Sequence, residues 1–166
     1  MLPYLNKHGI TVFNYYRMYF DGTVIRFSSD RVWTEHYFNK NYINKLTVPS
    51  SYLQKPLNYF IWLTDDCPEM LLDAAVNFNT SNGISIAQRQ TDSIEYFCFA
   101  TTRDNIAIVN NFYINNLELL LQYCAIFKEK ADPLLKAGEK NKIITVNSIN
   151  LINKTKTTIN SIQKKY

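Results

Sequence analysis

Glycine and proline are scarce, with 4 and 5 among 166 residues, which excludes a collagenous or linker-rich chain. Histidine is scarcer still: only His8 and His36 are present. The 3 cysteines, Cys67, Cys98 and Cys124, are odd in number and widely spaced, so they form no disulfide framework. No Cys-x-x-Cys and no Cys/His cluster is present, which excludes a zinc motif. No run of about 18 apolar residues exists, so no segment is expected to span a membrane. The start, Met1 to Lys7, has no basic region followed by an apolar stretch and is not a signal peptide. A reducing, cytoplasmic setting is therefore expected. Gly-rich phosphate loops, Gly-x-Ser-x-Gly and paired histidine ligands are all missing. No acid, base and nucleophile set can be assembled, so the expectation is a protein that is not an enzyme and uses no cofactor.

What is abundant is apolar and aromatic. Hydrophobic residues make up 46% and charged residues 19%, which excludes intrinsic disorder. There are 12 Tyr, 10 Phe and 2 Trp. The length suits one domain with a substantial core. The net charge of +4 is unevenly spread. From Lys128 onward nine lysines stand against Glu129, Asp132 and Glu139, leaving a weakly acidic body and a basic end. An acidic body is a poor footprint for nucleic acid.

Local patterns predict an order β-β-α-β-α-β-β-α. Residues 10–28 form a hairpin around Asp21-Gly22, a type I′ turn signal. A two-residue loop sets Phe20 opposite Thr23, Met18 opposite Ile25 and Tyr16 opposite Phe27. Arg17 then faces Arg26, and repulsion between them predicts a solvated second face. Ser29 or Asp30 caps a helix to about Lys40 that carries Trp33 and Tyr37 on one side. Tyr59 to Leu63 reads as a short strand. Asp65 or Asp66 caps the next helix, with Met70, Leu71, Ala74, Ala75 and Phe78 as its apolar stripe. Asn82-Gly83 ends a connection, and residues 84–89 and 94–101 form a second hairpin. Asp104 caps one long helix that Pro133 must end or kink and Gly138 stops. The tail from 141 carries five lysines and no acid, without clean periodicity. The expected fold is α+β: an α-β-α sandwich with a central antiparallel sheet of about five strands. The expected division is a domain over 1–139 and a basic tail or linker over 140–166.

Catalytic chemistry has little to work with. His36 sits one residue off the Trp33/Tyr37 side and reads as a rim residue. Asp65-Asp66-Cys67 reads as an acidic helix start beside a thiol, and those carboxylates would raise the thiol pKa. The ordered feature is aromatic: Trp33, Tyr37 and Tyr42 from one helix and its exit, and Trp62 from the end of a strand. A plain aromatic core accounts for it. So does an apolar ligand pocket in which Trp N–H and Tyr O–H supply the polar handles.

Five pieces in register resemble the autoinducer-binding domain of LuxR-type quorum-sensing regulators. Trp33-Thr34-Glu35-His36-Tyr37 followed by Asn41-Tyr42 resembles that family's W-x-x-x-Y…Y block. Tyr59-Phe60-Ile61-Trp62 resembles its aromatic-Trp strand, and Phe78 through Gly83-Ile84-Ser85-Ile86 its Gly-Ile-Ser-Ile strand. The hairpin and long helix follow in the family's order, over about residues 10–135. The resemblance implies a sensor that holds an acyl homoserine lactone or another apolar small molecule between sheet and helices. It implies that Trp33 bonds the lactone carbonyl, Tyr37 the acyl carbonyl, and that Trp62 packs on the lactone ring. Gly83 is implied to be structural. Tyr42, Leu46, Tyr16 and Met18 complete the candidate ligand-binding set, and no metal is expected. The resemblance also implies homodimers, often through the long helix, with Ile108, Phe112, Ile114, Leu119, Leu121 and Ile126 beyond its main seam.

Three departures shape the expectation. Thirteen residues after Trp33, where the family carries an Asp that accepts the ligand amide, stands Leu46. An unsatisfied buried amide costs about 1–3 kcal/mol, so simple acyl homoserine lactones are expected to bind weakly. About ten residues precede the first strand, so the family's N-terminal helices are expected to be missing or reduced. No helix-turn-helix follows, so DNA would be reached only through an output domain absent from this chain. Either that domain lies beyond the chain or the regulator lacks it. The competing expectation is a ligand-free interaction module whose pocket is filled by its own side chains, favoured if Tyr16, Met18, Phe97 and Phe99 all point inward.

Overall fold

The computed structural model describes residues 2–45, 54–62, 68–141 and 143–144. Its centre is an antiparallel sheet of β1 (Val12–Tyr19), β2 (Thr23–Ser28), β3 (Leu57–Ile61), β4 (Ser81–Arg89), β5 (Ser93–Thr101) and β6 (Ile143–Ile144). The spatial order is β3-β4-β5-β1-β2-β6. Five strands match the expectation, with β3 shifted two residues toward the N-terminus. The sixth is a two-residue addition from the basic tail, which pairs with Thr23 and Val24.

Helices cover both faces, completing the α-β-α sandwich. On one side α1 (Leu2–Asn6), α4 (Ile106–Asn115) and α5 (Leu117–Gly138) pack on Phe13, Tyr15, Ile84, Ile86, Phe97 and Phe99. On the other, α2 (Arg31–Asn39) and α3 (Pro68–Asn77) pack on Met18, Val24, Ala87, Ile94, Tyr96 and Cys98. Residues i and i+2 share a face, so alternate residues of β1 and β5 divide between two cores.

The first hairpin differs from the sequence expectation by one residue of register. Met18 pairs with Val24, Arg17 with Ile25, Tyr16 with Arg26 and Tyr15 with Phe27. The loop has three residues: the Gly22 N–H donates to the Tyr19 carbonyl at 3.1 Å, and Gly22 has φ 97°. This is a type I turn closed by a left-handed residue, which glycine supplies without a Cβ clash. Asp21 Oδ1 locks it by accepting from the Thr23 amide and hydroxyl at 2.8 and 2.6 Å. A one-residue slip exchanges the faces of the whole strand. Arg17 and Arg26 therefore do not oppose each other, and neither lies on a solvated face: each points into a different core.

The expected single long helix is two. Asn116 leaves helical geometry at φ −133°, ψ 32°, and its side-chain amide donates to the Phe112 carbonyl at 2.9 Å. An asparagine side chain that competes for backbone groups in this way breaks helices. Pro133, by contrast, does not end α5. Ala131 and Leu135 on either side of it are 6% and 5% exposed, and their packing on the sheet holds both turns in place. Asp104 is not the cap; it lies in a 3-10 turn, Arg103–Asn105, ahead of α4.

Candidate functional site

The face beneath α2 and α3 gathers most of the expected aromatic set. Asp30 is the cap of α2: its Oδ1 accepts from the Trp33 amide at 2.9 Å. That start fixes Trp33 and Tyr37 on the inner side of the helix, ring centroids 6.0 Å apart. Trp33 stacks on Tyr42 at 6.0 Å and meets Phe78 edge-on at 5.0 Å. Tyr37 lies 6.4 Å from Tyr16 across the sheet interface. Trp33, Tyr37, Tyr42 and Met18 are buried in one cluster, and Tyr16 and Trp62 pack against it half-buried.

Trp62 reaches the cluster from the edge strand because Gly83 leaves room for it. A Cβ on Gly83 would lie 2.3 Å from the indole. The Trp62 amide donates to the Gly83 carbonyl at 2.8 Å, so β3 pairing sets the ring directly over that glycine. Gly83 thus lies inside β4, within the bulge between Ser81 and Ile84, and does not end a connection. The indole Nε1 donates to Ser85 Oγ at 2.8 Å, and Ser85 Oγ donates to Cys98 Sγ at 3.2 Å. Asn14 pairs with Cys98, and Cys98 with Ser85, so a polar row crosses the sheet floor beneath the aromatic layer. Burial pushes the Cys98 thiol up to about 11 despite the Ser85 bond and the nearby Arg26 charge, which makes it a neutral lining group. The Asn14 Oδ1 is buried without a hydrogen-bond partner.

The two covering helices are joined by a carboxylate. Asp73 of α3 accepts from the Tyr42 hydroxyl at 2.6 Å, contacts His36 Nε2 at 2.6 Å and accepts from Asn77 at 2.7 Å. The Tyr42 bond, with help from Asn77 and His36, holds the Asp73 carboxyl down at about 2 against the opposing effect of burial. His36 is therefore a half-buried strut that also stacks on Trp33 at 5.8 Å.

Arg26 is the group that sequence reasoning placed in solvent. Its guanidinium carbon lies 4.0 Å from the Tyr37 ring centroid, 4.8 Å from Tyr16 and 5.8 Å from Phe38. All three guanidinium nitrogens are buried, and none has a hydrogen-bond partner. Cation–π contacts return up to about 2 kcal/mol, whereas a buried unpaired charge forfeits several kcal/mol of hydration. Burial pushes the Tyr16 phenol up to about 12, even with this cation beside it.

Leu46 lies outside the described residues, as do Asp65, Asp66 and Cys67. Phe97 and Phe99 point away from Tyr16 and Met18, into the core under α4 and α5. Arg26, Asn14, Ser85 and Asp73 were missed as site residues. The like-charge clash of Arg17 with Arg26 in the two-residue-loop register was the signal available for the first of them. Among the described residues, no group of three or more histidines, cysteines and carboxylates could hold a metal ion. Among them, too, no helix is long and apolar enough to cross a membrane.

The architecture is thus an antiparallel sheet between two helical layers, with an aromatic cluster under the helix pair α2/α3. No protein-family model matches the chain and no curated protein matches it significantly. Solved structures do match. The N-acylhomoserine lactone-dependent LuxR-family transcription factor CepR2 from Burkholderia cenocepacia is similar at a TM-score of 0.52 and 15% identity, over 81% of this chain and 80% of that one. SdiA in complex with octanoyl-rac-glycerol gives a TM-score of 0.50 at 8% identity, over 60% of this chain and 43% of that one. Escherichia coli SdiA gives 0.50 at 11% identity, over 60% and 45%. The chain thus spans less than half the length of either SdiA chain. What is shared is the fold, which is that of the LuxR-type autoinducer-binding domain.

Proposed function

We propose that this chain is the small-molecule-sensing domain of a LuxR-type transcription regulator, with an apolar ligand held between the sheet and helices α2 and α3. The observation that carries the reading is the convergence of Trp33, Tyr37, Tyr42 and Trp62 on one sheet face, above a polar row. Apolar walls with a few directed polar groups are what small-molecule sites require. Tyr16 and Met18 of β1 form the floor, and Leu46 is proposed to add to the wall in place of a carboxylate. Met18, Phe97 and Phe99 are buried and Tyr16 is half-buried, divided between the two cores, which keeps a ligand-free interaction module as the second reading.

Native mass spectrometry of the protein purified from its own host tests the reading. A small molecule that co-purifies, and that is lost from a Trp33→Ala, Trp62→Ala double variant, is the expected result. Thermal-shift titration tests the lactone class. Micromolar N-octanoyl homoserine lactone should stabilise the wild type little and Leu46→Asp more. Strong stabilisation of the wild type would overturn the reasoning from Leu46.

A homodimer through α4 and α5 belongs to the same proposal. Ile108 and Ile114 of α4 are 66% and 65% exposed, an unusual state for isoleucine on a surface helix. Sedimentation as a monomer at high micromolar concentration would refute it. In this reading DNA contact belongs to an output domain, and the sensor acts in the cytoplasm.

A further inference from the structure

We infer that the ligand carries an anionic head, a carboxylate on an apolar body, and that the Arg26 guanidinium receives it. This rests on the proposed reading of the α2/α3 face as the ligand site and names the chemistry that face selects. Arg26 stands on β2 opposite Tyr16, so the sheet holds its base and the rings of Tyr16 and Tyr37 hold its head. A guanidinium lying over ring faces keeps its N–H edge for an acceptor in its own plane, and carboxylate oxygens match that fork. Among the described residues nothing fills that role: the three nitrogens are buried and have no hydrogen-bond partner there.

Among the described residues, the surroundings of Arg26 supply no counter-charge. Burial keeps Tyr16 and Cys98, two titratable groups beside Arg26, neutral at pH 7. Asp73 is engaged with Tyr42, His36 and Asn77. Glu95 points to the opposite face, where it holds Arg17 and Lys128. Among the described residues, the α2/α3 face therefore carries a positive charge without a counter-charge, inside an aromatic layer. A neutral lactone would leave that charge buried and unpaired, and a carboxylate would neutralise it. Asn14 adds a second point. It is the diagonal neighbour of Arg26, about 7–8 Å away by sheet geometry, and its Oδ1 has no hydrogen-bond partner and can accept one. A hydroxyl or amide N–H next to the carboxylate would satisfy it.

The test compares decanoate with decanamide, an isosteric neutral probe, and with N-decanoyl homoserine lactone. Tryptophan fluorescence titration at pH 7 on the full chain reads the affinities. Decanoate should bind at least tenfold more tightly than decanamide and should weaken as salt rises. Arg26→Met should remove the preference for the acid and bring the two to equal affinity. Equal binding of acid and amide to the wild type would overturn the anionic head while leaving the sensor reading intact. No saturable binding of any of the three would count against the sensor reading itself, and the inference would fall with it. The wild-type comparison decides without the variant, should Arg26→Met fold poorly.

Discussion

On the sheet face under α5, the buried carboxylate of Glu95 takes part in five hydrogen bonds. Tyr15 and Arg17 donate to Oε1, while Gln90 and Lys128 donate to Oε2. On the face under α2 and α3, the buried guanidinium of Arg26 takes part in none. Burial works to raise the Glu95 pKa, but the bonds from Lys128, Tyr15 and Arg17 overcome it and hold the carboxyl below its ordinary value. One face has completed its electrostatics and serves structure. The other has left a charge open at its centre, the condition expected where a ligand finishes the site.

The largest expected effect lies on the completed face. Glu95→Ala removes the acceptor of Arg17 and Lys128 and leaves two cations around a dry position. Urea denaturation should show a loss of about 3–5 kcal/mol. A loss under about 1 kcal/mol would mean that the network adds nothing and that the contrast between the faces is empty. Next is the contact that seats Trp62. Gly83→Ala places a methyl 2.3 Å from the indole, so the ring must move. Overpacking of this kind costs about 1–3 kcal/mol, and the tryptophan emission should shift with it. An unchanged spectrum and midpoint would show that the indole position is not set by Gly83.

Arg26→Met should have the opposite sign to Glu95→Ala. Replacing an unpaired buried charge with an apolar chain of similar length should stabilise the ligand-free protein by about 1–2 kcal/mol. Destabilisation of that size would show that the tyrosine rings alone satisfy the guanidinium. The smallest effect is acid-dependent. Asp73 titrates at about 2 when folded and at its ordinary value, near 3.8, when unfolded. Its contribution is therefore full above about pH 4 and is lost as pH falls toward 2. Solvent screening reduces it to the order of 1 kcal/mol. Asp73→Asn should lower stability at pH 6 and flatten its fall between pH 4 and 2. Parallel curves for wild type and variant would remove Asp73 as the tie between α2 and α3.

Much of the fold was legible because its signals are local. Asp30 before Trp33 announces a helix start, and the aromatic and β-branched runs announce strands. Gly83 follows Trp62 in the family's order, which pointed to a structural glycine before the indole contact was seen. Three features were not legible for physical reasons. Asp-Gly serves both two- and three-residue hairpin loops, and the choice moves every side chain of β2 to the other face. In the two-residue register Arg26 faces solvent, and in the three-residue register it enters the aromatic layer. Asn116 breaks a helix through its own side chain, which apolar periodicity does not register. Asp73 reads as a polar position on the outside of α3, and only the placement of α2 brings it to Tyr42 and His36.

The two tryptophans make the central claim directly measurable, because Trp33 and Trp62 both belong to the α2/α3 face and neither belongs to the α4/α5 core. A two-dimensional 15N NMR titration with decanoate, and with any molecule that co-purifies, follows their indole N–H signals beside the backbone amides of α5. Saturable shifts of both indoles, with the amides around Lys128 and Ala131 little changed, are the predicted result. A ligand that binds saturably, shifts the α5 amides and leaves both indoles in place would contradict the account.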